Sequence, residues 1–347
     1  MKAENSVLIK NIYYMLAYAY KALRRDGFEK VAAESFDNIH DLFAVILVKG
    51  IERQIKQGLT KEYVKSCRLQ KTLRGKIDIA GTVGQMTKRR KELSCVYGIL
   101  TEDNLFNRIL KAAVMLLLNH GEVKHENKIA LKKLLPFLVN VCDIKPLEIN
   151  WSLLSYSKGN ASYQMLIYLC RLLFEGMIIS HDGRVKLAKF LDGQHLCDLY
   201  EAFVRAYYER HYPQLNPRAA YVAWALDDKQ DMFLPGMYTD TMLESRDKVL
   251  IIDTKCYRRI LTQQYDKKSV CSANLYQIYA YVKNKTAVTD KAVSGMLLYA
   301  KTDEDITPDV VYSMGGNKIF VRTLNLNCEF EKIKEQLDKI AEENFTA

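Results

Sequence analysis

The strongest constraint on this fold is an apolar run that ends in charge. Val249-Leu250-Ile251-Ile252 leads directly into Asp253-Thr254-Lys255. Leu250, Ile251 and Ile252 are a short, β-prone apolar stretch, which reads as a buried strand. Side chains alternate faces along a strand, so Asp253 and Lys255 project from the same side. Burying charge without a partner is costly, so a core strand that finishes this way needs a reason to hold an acid and a lysine. Upstream, Tyr238-Thr239-Asp240 supplies a further acid. On an adjoining strand, Asp240 completes a set of two carboxylates and one ammonium around a point.

That set has a definite chemistry. Two hard oxygen ligands suit Mg²⁺, and a lysine beside them stays protonated, ready to orient water or offset charge on a phosphate. This is what phosphodiester hydrolysis requires. Gln277 and Tyr281 follow at i, i+4, on one face of a predicted helix. Either Gln277 hydrogen-bonds Lys255, water or phosphate and Tyr281 touches a nucleic-acid backbone, or each is an ordinary helix-surface or packing residue. Glu201 lies in the otherwise apolar Leu199-Tyr200-Glu201-Ala202-Phe203-Val204 and faces either the metal or solvent. Tyr257, Arg258 and Arg259 either grip flanking phosphates or form a basic strand exit.

Composition agrees with an anionic partner. The chain has 347 residues, 49% hydrophobic, with a formal charge of +10. That is enough for two domains with a substantial core, and the charge makes DNA or RNA the first candidate partner. Cys67, Cys95, Cys142, Cys170, Cys197, Cys256, Cys271 and Cys328 show no Cys-x-x-Cys pairing and no zinc-ligand spacing with histidine. Reduced thiols in a cytoplasmic protein are the simpler reading. The start, with Lys2, Glu4 and Asn5, lacks a signal-peptide h-region, and no run of about twenty apolar residues suggests a membrane span.

Apolar periodicity predicts helices over about 8–24, closed by Arg24, Arg25 and Gly27, and over 36–57, stopped by Gly58. Residues 62–100 read as β-structure with glycine turns and include the basic run Lys88-Arg89-Arg90-Lys91, which is a solvated loop or a phosphate contact. Helices are predicted from Thr101-Glu102-Asp103 onward, over 124–141 with Pro136 ending or kinking it, and over 161–180. Turn signals at 180–193 mark the domain boundary. Beyond it come a helix at 196–210, β-segments at 221–226, 241–243 and 249–256, a helix at 273–283, strands at 295–299 and 317–323, and a helix at 328–343. That order describes an α/β unit with a mixed sheet.

Asp240, Asp253-Thr254-Lys255 and Gln277-Ile278-Tyr279-Ala280-Tyr281 together resemble the PD-(D/E)XK nuclease superfamily with its downstream Q-x-x-x-Y element. Thr239 stands where that pattern has proline, a position that binds no metal. More closely, the chain is similar to the McrC family, nuclease subunits of McrBC 5-methylcytosine restriction systems. Asn11-Ile12-Tyr13-Tyr14-Met15-Leu16, Leu73-Arg74-Gly75-Lys76-Ile77-Asp78 and Asn104-Leu105-Phe106-Asn107-Arg108-Ile109-Leu110-Lys111 extend the likeness through the first half.

The resemblance implies an α+β docking domain over 1–185, helical with a β-structured insertion at about 62–100. An α/β PD-(D/E)XK nuclease domain with a mixed central sheet then follows over 190–347. It implies Mg²⁺ on Asp240 and Asp253, with Glu201 as a further candidate ligand, and catalysis by Asp240, Asp253, Lys255 and Gln277. The implied partners are DNA and a hexameric McrB-like AAA+ GTPase, with Arg74, Lys88, Arg89 and Arg90 as docking contacts. No G-x-x-x-x-G-K-[ST] loop occurs in the chain, so GTP belongs to the partner. Two other readings are a nuclease-inactive activator of the AAA+ partner and a stand-alone nuclease. The intact acid, acid and lysine set speaks against the first, and the long N-terminal half against the second.

Overall fold

A computed structural model describes residues 2–20, 36, 38–88, 90–178, 194–228, 232–256, 261–264, 267–301 and 307–346. In chain order its elements begin with α1 (Lys2–Ala19), α2 (Ile39–Gln57), β1 (Glu62–Gln70), β2 (Lys76–Ile77), α3 (Ile79–Thr87) and β3 (Leu93–Thr101). Helices α4 (Leu105–Asn119), α5 (His125–Lys132), α6 (Gln164–Ile178) and α7 (Gln194–His211) follow. Next come β4 (Arg218–Val222), β5 (Met237–Glu244), β6 (Lys248–Lys255), β7 (Leu261–Gln264) and β8 (Lys267–Val270). The chain closes with α8 (Ser272–Ala287), β9 (Ala292–Ala300), β10 (Val310–Met314), β11 (Asn317–Leu324) and α9 (Phe330–Phe345).

These elements form two compact units, Met1–Leu42 with Glu175–Ala347, and Phe43–Phe174. The discontinuous unit is built on a six-stranded mixed sheet in the order β10-β11-β9-β6-β5-β4. Strands β11, β9 and β6 run parallel, while β5, β4 and β10 pair antiparallel with their neighbours. The apolar run occupies β6 near the centre, where Val249, Leu250, Ile251 and Ile252 are all buried. Val249 and Ile251 join Ile278 and Val282 of α8 in one cluster, and α7 and α9 pack against the sheet as well. Helix α8 comes in close over Gly295 of β9. A β-carbon there would lie 2.7 Å from Val282 Cγ2 and 2.8 Å from Ile278 Cγ1.

Helix α1 belongs to this unit because its side chains are spent there. Asn11 Nδ2 donates to the carbonyls of Leu326 (2.7 Å) and Cys328 (2.8 Å). Tyr14 stacks on Phe330 at 4.1 Å between centroids, and the Tyr18 hydroxyl meets His211 Nε2 at 2.9 Å. Tyr207 and Tyr212 both donate to Asp338 Oδ1, at 2.7 and 2.9 Å, tying α7 to α9. The sequence places one division between 185 and 190, outside the described residues. The compact units divide within α2 and within α6, and the α1 contacts place Met1–Leu42 with the later part of the chain.

The continuous unit pairs helices with a small antiparallel sheet, β1-β3-β2. Its motif Asn104-Leu105-Phe106-Asn107-Arg108 is a structural knot. Asn104 caps α4 by accepting from the Asn107 N–H at 3.1 Å, and its Nδ2 donates to the Thr60 carbonyl at 2.7 Å. Asn107 Nδ2 donates to the same carbonyl at 3.0 Å, and Tyr163 donates to Asn107 Oδ1 at 3.0 Å. Arg108 grips Asp103 with two hydrogen bonds, of 2.6 and 2.7 Å.

Three local expectations change. Residues 62–100 are not all β-structure: α3 intervenes, its Gly81 and Gly84 resembling turn residues in the sequence. It is stitched to β3 by Ser94, whose N–H donates to Thr82 Oγ1 (2.9 Å) and whose hydroxyl donates to Asp78 Oδ2 (3.0 Å). Thr101 closes β3, and the helix start moves to Asn104. The β7–β8 hairpin and β10 are additions, short strands with little periodic signal. The helix signals at Arg24, Arg25 and Gly27 lie outside the described residues. None of the eight cysteines is in a disulfide, and no described helix is long and apolar enough to cross a membrane.

Replacing Gly295 by alanine should overpack the α8 contact and remove about 1–3 kcal/mol of stability. Chemical denaturation followed by circular dichroism reads this as an earlier midpoint. An unchanged midpoint would mean that α8 does not approach β9 so closely.

Candidate active site

Pairing between β5 and β6 runs from Glu244↔Val249 to Thr241↔Ile252 and then stops. One residue further, the Asp240 carboxylate takes over the strand's role. Its Oδ2 accepts from the Thr254 N–H at 2.7 Å and from the Thr254 hydroxyl at 2.6 Å. A carboxylate thus stands where a backbone carbonyl would continue the ladder, and this fixes Asp240 beside the end of β6. On the other flank, β9 continues the pairing through Asp253↔Leu297 and Lys255↔Tyr299.

Asp253 is 1% exposed. Four neighbouring apolar side chains in β6 are buried, each contributing about 1.5–3 kcal/mol, and they hold the carboxylate inside. Lys255 Nζ lies 2.6 Å from Asp253 Oδ2, and its side chain is 13% exposed. That oxygen is buried, and the Lys255 ammonium is its partner. Lys255 Nζ also donates to Gln277 Oε1 at 3.1 Å, and Gln277 Nε2 donates to the Tyr281 hydroxyl at 2.9 Å. The i, i+4 pair on α8 therefore forms a relay that positions the ammonium.

Glu201 of α7 faces the same cluster. Arg205, one turn on, donates through one nitrogen to Glu201 Oε1 (3.0 Å) and to the Asp240 carbonyl (2.7 Å). Burial pushes the Glu201 carboxyl up, Asp240 pushes it further, and Arg205 opposes both. Asp253 is pushed up to about 6, first by burial; Lys255 pulls it down while Asp240 and Glu201 push it up. Three carboxylates thus load one another with negative charge, opening onto Lys255. They do not close into a finished ligand triangle with every oxygen within 4.8 Å of the others.

The residues fit a hard divalent cation. The donors are carboxylate oxygens, one of them is buried with Lys255 as its partner, and their mutual repulsion is relieved by positive charge. The structure brings together Asp240, Asp253, Lys255, Gln277 and Glu201, all named from sequence. Tyr281 is placed differently: at 8% exposure its ring sits in the apolar cluster under α8, so it holds Gln277 and presents no surface to nucleic acid. Tyr257, Arg258 and Arg259 lie outside the described residues. Sequence reasoning missed Thr254 and Arg205, although Arg205 carries a readable signal four residues after Glu201 on a helix.

Of the docking residues, Arg74, Lys88 and Arg90 are exposed in the other unit, and Arg89 lies outside the described residues. The Arg74 guanidinium sits 4.5 Å above the Tyr97 ring, Lys88 ends α3, and the Arg90 N–H donates to the Gln85 carbonyl at 2.9 Å.

Comparison with known proteins matches residues 2–300 to a family model described as McrBC 5-methylcytosine restriction system component. The type IV methyl-directed restriction enzyme EcoKMcrBC of Escherichia coli (strain K12) is 25% identical over 340 residues, 96% of this chain and 97% of that protein. One solved structure is a refined half-complex from a tetradecameric assembly of Thermococcus gammatolerans McrB AAA+ hexamers with bound McrC. It aligns over 96% of this chain and 76% of its own, at 16% identity and TM-score 0.47. A cryo-EM structure of the Thermococcus gammatolerans McrBC complex covers 60% of this chain and 59% of its own, at 19% identity and TM-score 0.40. Both TM-scores are too low to carry a fold assignment.

The pH dependence of stability follows from Asp253. Its folded pKa of about 6 lies above the ordinary aspartate value, so between about pH 4 and 6 the folded state holds a proton that the unfolded chain releases. This group's contribution therefore falls as pH rises through that window, by about 1–3 kcal/mol, and stays low above it. Asp253→Asn removes the effect. Whatever its constant offset, the melting temperature of the variant relative to wild type should climb from pH 4.5 to 7.5. A flat difference would assign Asp253 an ordinary titration.

Proposed function

Because this chain belongs to the family of McrBC 5-methylcytosine restriction system components, we propose that it is the DNA endonuclease subunit of a modification-dependent, type IV defence system. It hydrolyses phosphodiester bonds with Mg²⁺ after GTP-driven translocation by a hexameric McrB-like AAA+ partner whose GTPase it stimulates. The observation that carries this reading is the chain Asp253–Lys255–Gln277, flanked by the Asp240 and Glu201 carboxylates at one end of the sheet.

Asp253 and Asp240 are the residues that would hold Mg²⁺, with Glu201 turned toward the same field. When bound, the cation lowers the pKa of a coordinated water and polarises the scissile phosphate. Everything else falls to this chain's own side chains. Lys255 keeps its ammonium at the mouth of the cluster, where it orients water and offsets the charge growing on the phosphate oxygens. Gln277 fixes that ammonium, and Tyr281 fixes Gln277. Thr254 holds Asp240 in register with Asp253. Arg205 keeps Glu201 near Asp240 while tempering their repulsion.

The continuous unit serves as the docking module. Arg74, Lys88 and Arg90 are exposed on it, together with apolar Tyr63, Leu73, Ile79 and Met86. A monomer rarely leaves so many large apolar groups bare without a partner to cover them. The intact acid and lysine set favours an active nuclease over a silent activator.

Asp253→Ala or Lys255→Ala should lower DNA cleavage by at least about a hundredfold, while the folded chain and its association with the AAA+ partner persist. Cutting at the wild-type rate by either variant rejects the assignment. Mg²⁺ should raise the melting temperature of wild type but not of Asp253→Ala, a readout independent of turnover. Alanine at all four of Lys88 to Lys91 should weaken stimulation of the partner's GTPase several-fold. Undiminished stimulation removes that segment from the docking surface.

A further inference from the structure

The connection from β4 to β5 presents a tip that folding alone does not explain. Met232, Phe233 and Leu234 are exposed, Phe233 to 96%, and the Phe233 backbone has φ of +68°. A phenylalanine in the left-handed region is crowded against its own carbonyl and gains nothing in return when its ring stands in water. Such an outlier persists only where its surroundings impose it. Here they do. Trp224 Nε1 donates to the Pro235 carbonyl at 2.7 Å, and the Ala225 N–H donates to Asn284 Oδ1 at 2.8 Å. Asn284 belongs to α8, the helix that carries Gln277 and Tyr281. Gly236 lies against the Tyr238 ring, where a β-carbon would come within 2.7 Å of Cε2.

The tip stands at a telling end of the sheet. Strand β5 runs antiparallel to both β4 and β6, so the end of β4, the start of β5 and the end of β6 share one edge. That edge bears Asp253 and Lys255, and Asp240 lies about 10 Å along β5 from its first residue, Met237. Tyr221 and Tyr238, both exposed, pair beside it with ring centroids 5.4 Å apart.

We propose that Phe233, flanked by Met232 and Leu234, is an apolar wedge that enters a base step of duplex DNA lying across the carboxylate site. Resting on the nuclease reading above, this adds a device for bending or opening the duplex near the point of cleavage. Phenylalanine, methionine and leucine are the side chains that part stacked bases. Three residues at a loop tip are far short of the twenty or more per side that a stable protein interface uses.

The test uses the full-length chain with its AAA+ partner and duplexes carrying 2-aminopurine at successive steps, whose fluorescence rises on unstacking. Asp253→Ala serves as the background, so the signal is independent of cleavage. A position-specific rise is expected, falling at least fivefold in Phe233→Ala and in Phe233→Gly but retained in Phe233→Trp. Phe233→Gly relieves the left-handed backbone, so loss of signal there without loss of melting temperature separates the wedge from a folding role. An equal rise in Phe233→Ala, or no rise at any position with wild type, overturns the proposal. So does loss of partner association by Phe233→Ala with the DNA signal intact, which would make the tip a protein contact. Wild-type cleavage by Asp253→Ala alongside a Phe233-dependent rise would instead sink the nuclease assignment and leave the wedge standing.

Discussion

The buried pair of Asp253 and Lys255 is the constraint to which the rest of the site answers. An ionised carboxylate at 1% exposure is tolerated because an ammonium stands 2.6 Å away and because β6 is otherwise a run of apolar side chains that the sheet must enclose. Burial still outweighs that partner, since the Asp253 carboxyl is pushed up to about 6. Asp240 and Glu201 then add negative charge to a place already short of compensation. A fold selected for stability alone would replace these groups with packed hydrocarbon. Carboxyls perturbed in this way, by burial and by one another, cluster at functional sites.

Around that pair, positioning falls to uncharged groups and one arginine. Thr254 uses its backbone and side chain together to clamp Asp240, at the point where β5 and β6 cease to pair. Gln277 and Tyr281 form a relay only because α8 lies close on the sheet, and α8 lies close because β9 has a glycine beneath it. The geometry of the ammonium is thus set by a residue without a side chain on another strand.

How much of this was legible beforehand depended on the kind of signal. The β6 strand and its terminal charges were readable because a run of buried apolar residues and a two-residue alternation are local properties. The i, i+4 spacing placed Gln277 and Tyr281 on one face for the same reason, yet it said nothing of depth. Tyr281 therefore read as a surface contact when its ring belongs to the core. Thr254 was hidden because its role arises from a strand pairing that stops, which no single segment encodes. Helix α3 was obscured by Gly81 and Gly84, and the return of α1 to the later part of the chain rests on Asn11 bonding carbonyls more than three hundred positions away.

That return carries a consequence for biosynthesis. Phe43–Phe174 is an uninterrupted insertion and has its full complement of residues as soon as it leaves the ribosome. The discontinuous unit must wait: its helix α1 docks on Phe330 and the carbonyls before it, more than three hundred positions later in the chain. A chain interrupted between the two would thus hold the continuous unit complete while the carboxylate cluster still lacked the helix that braces its unit.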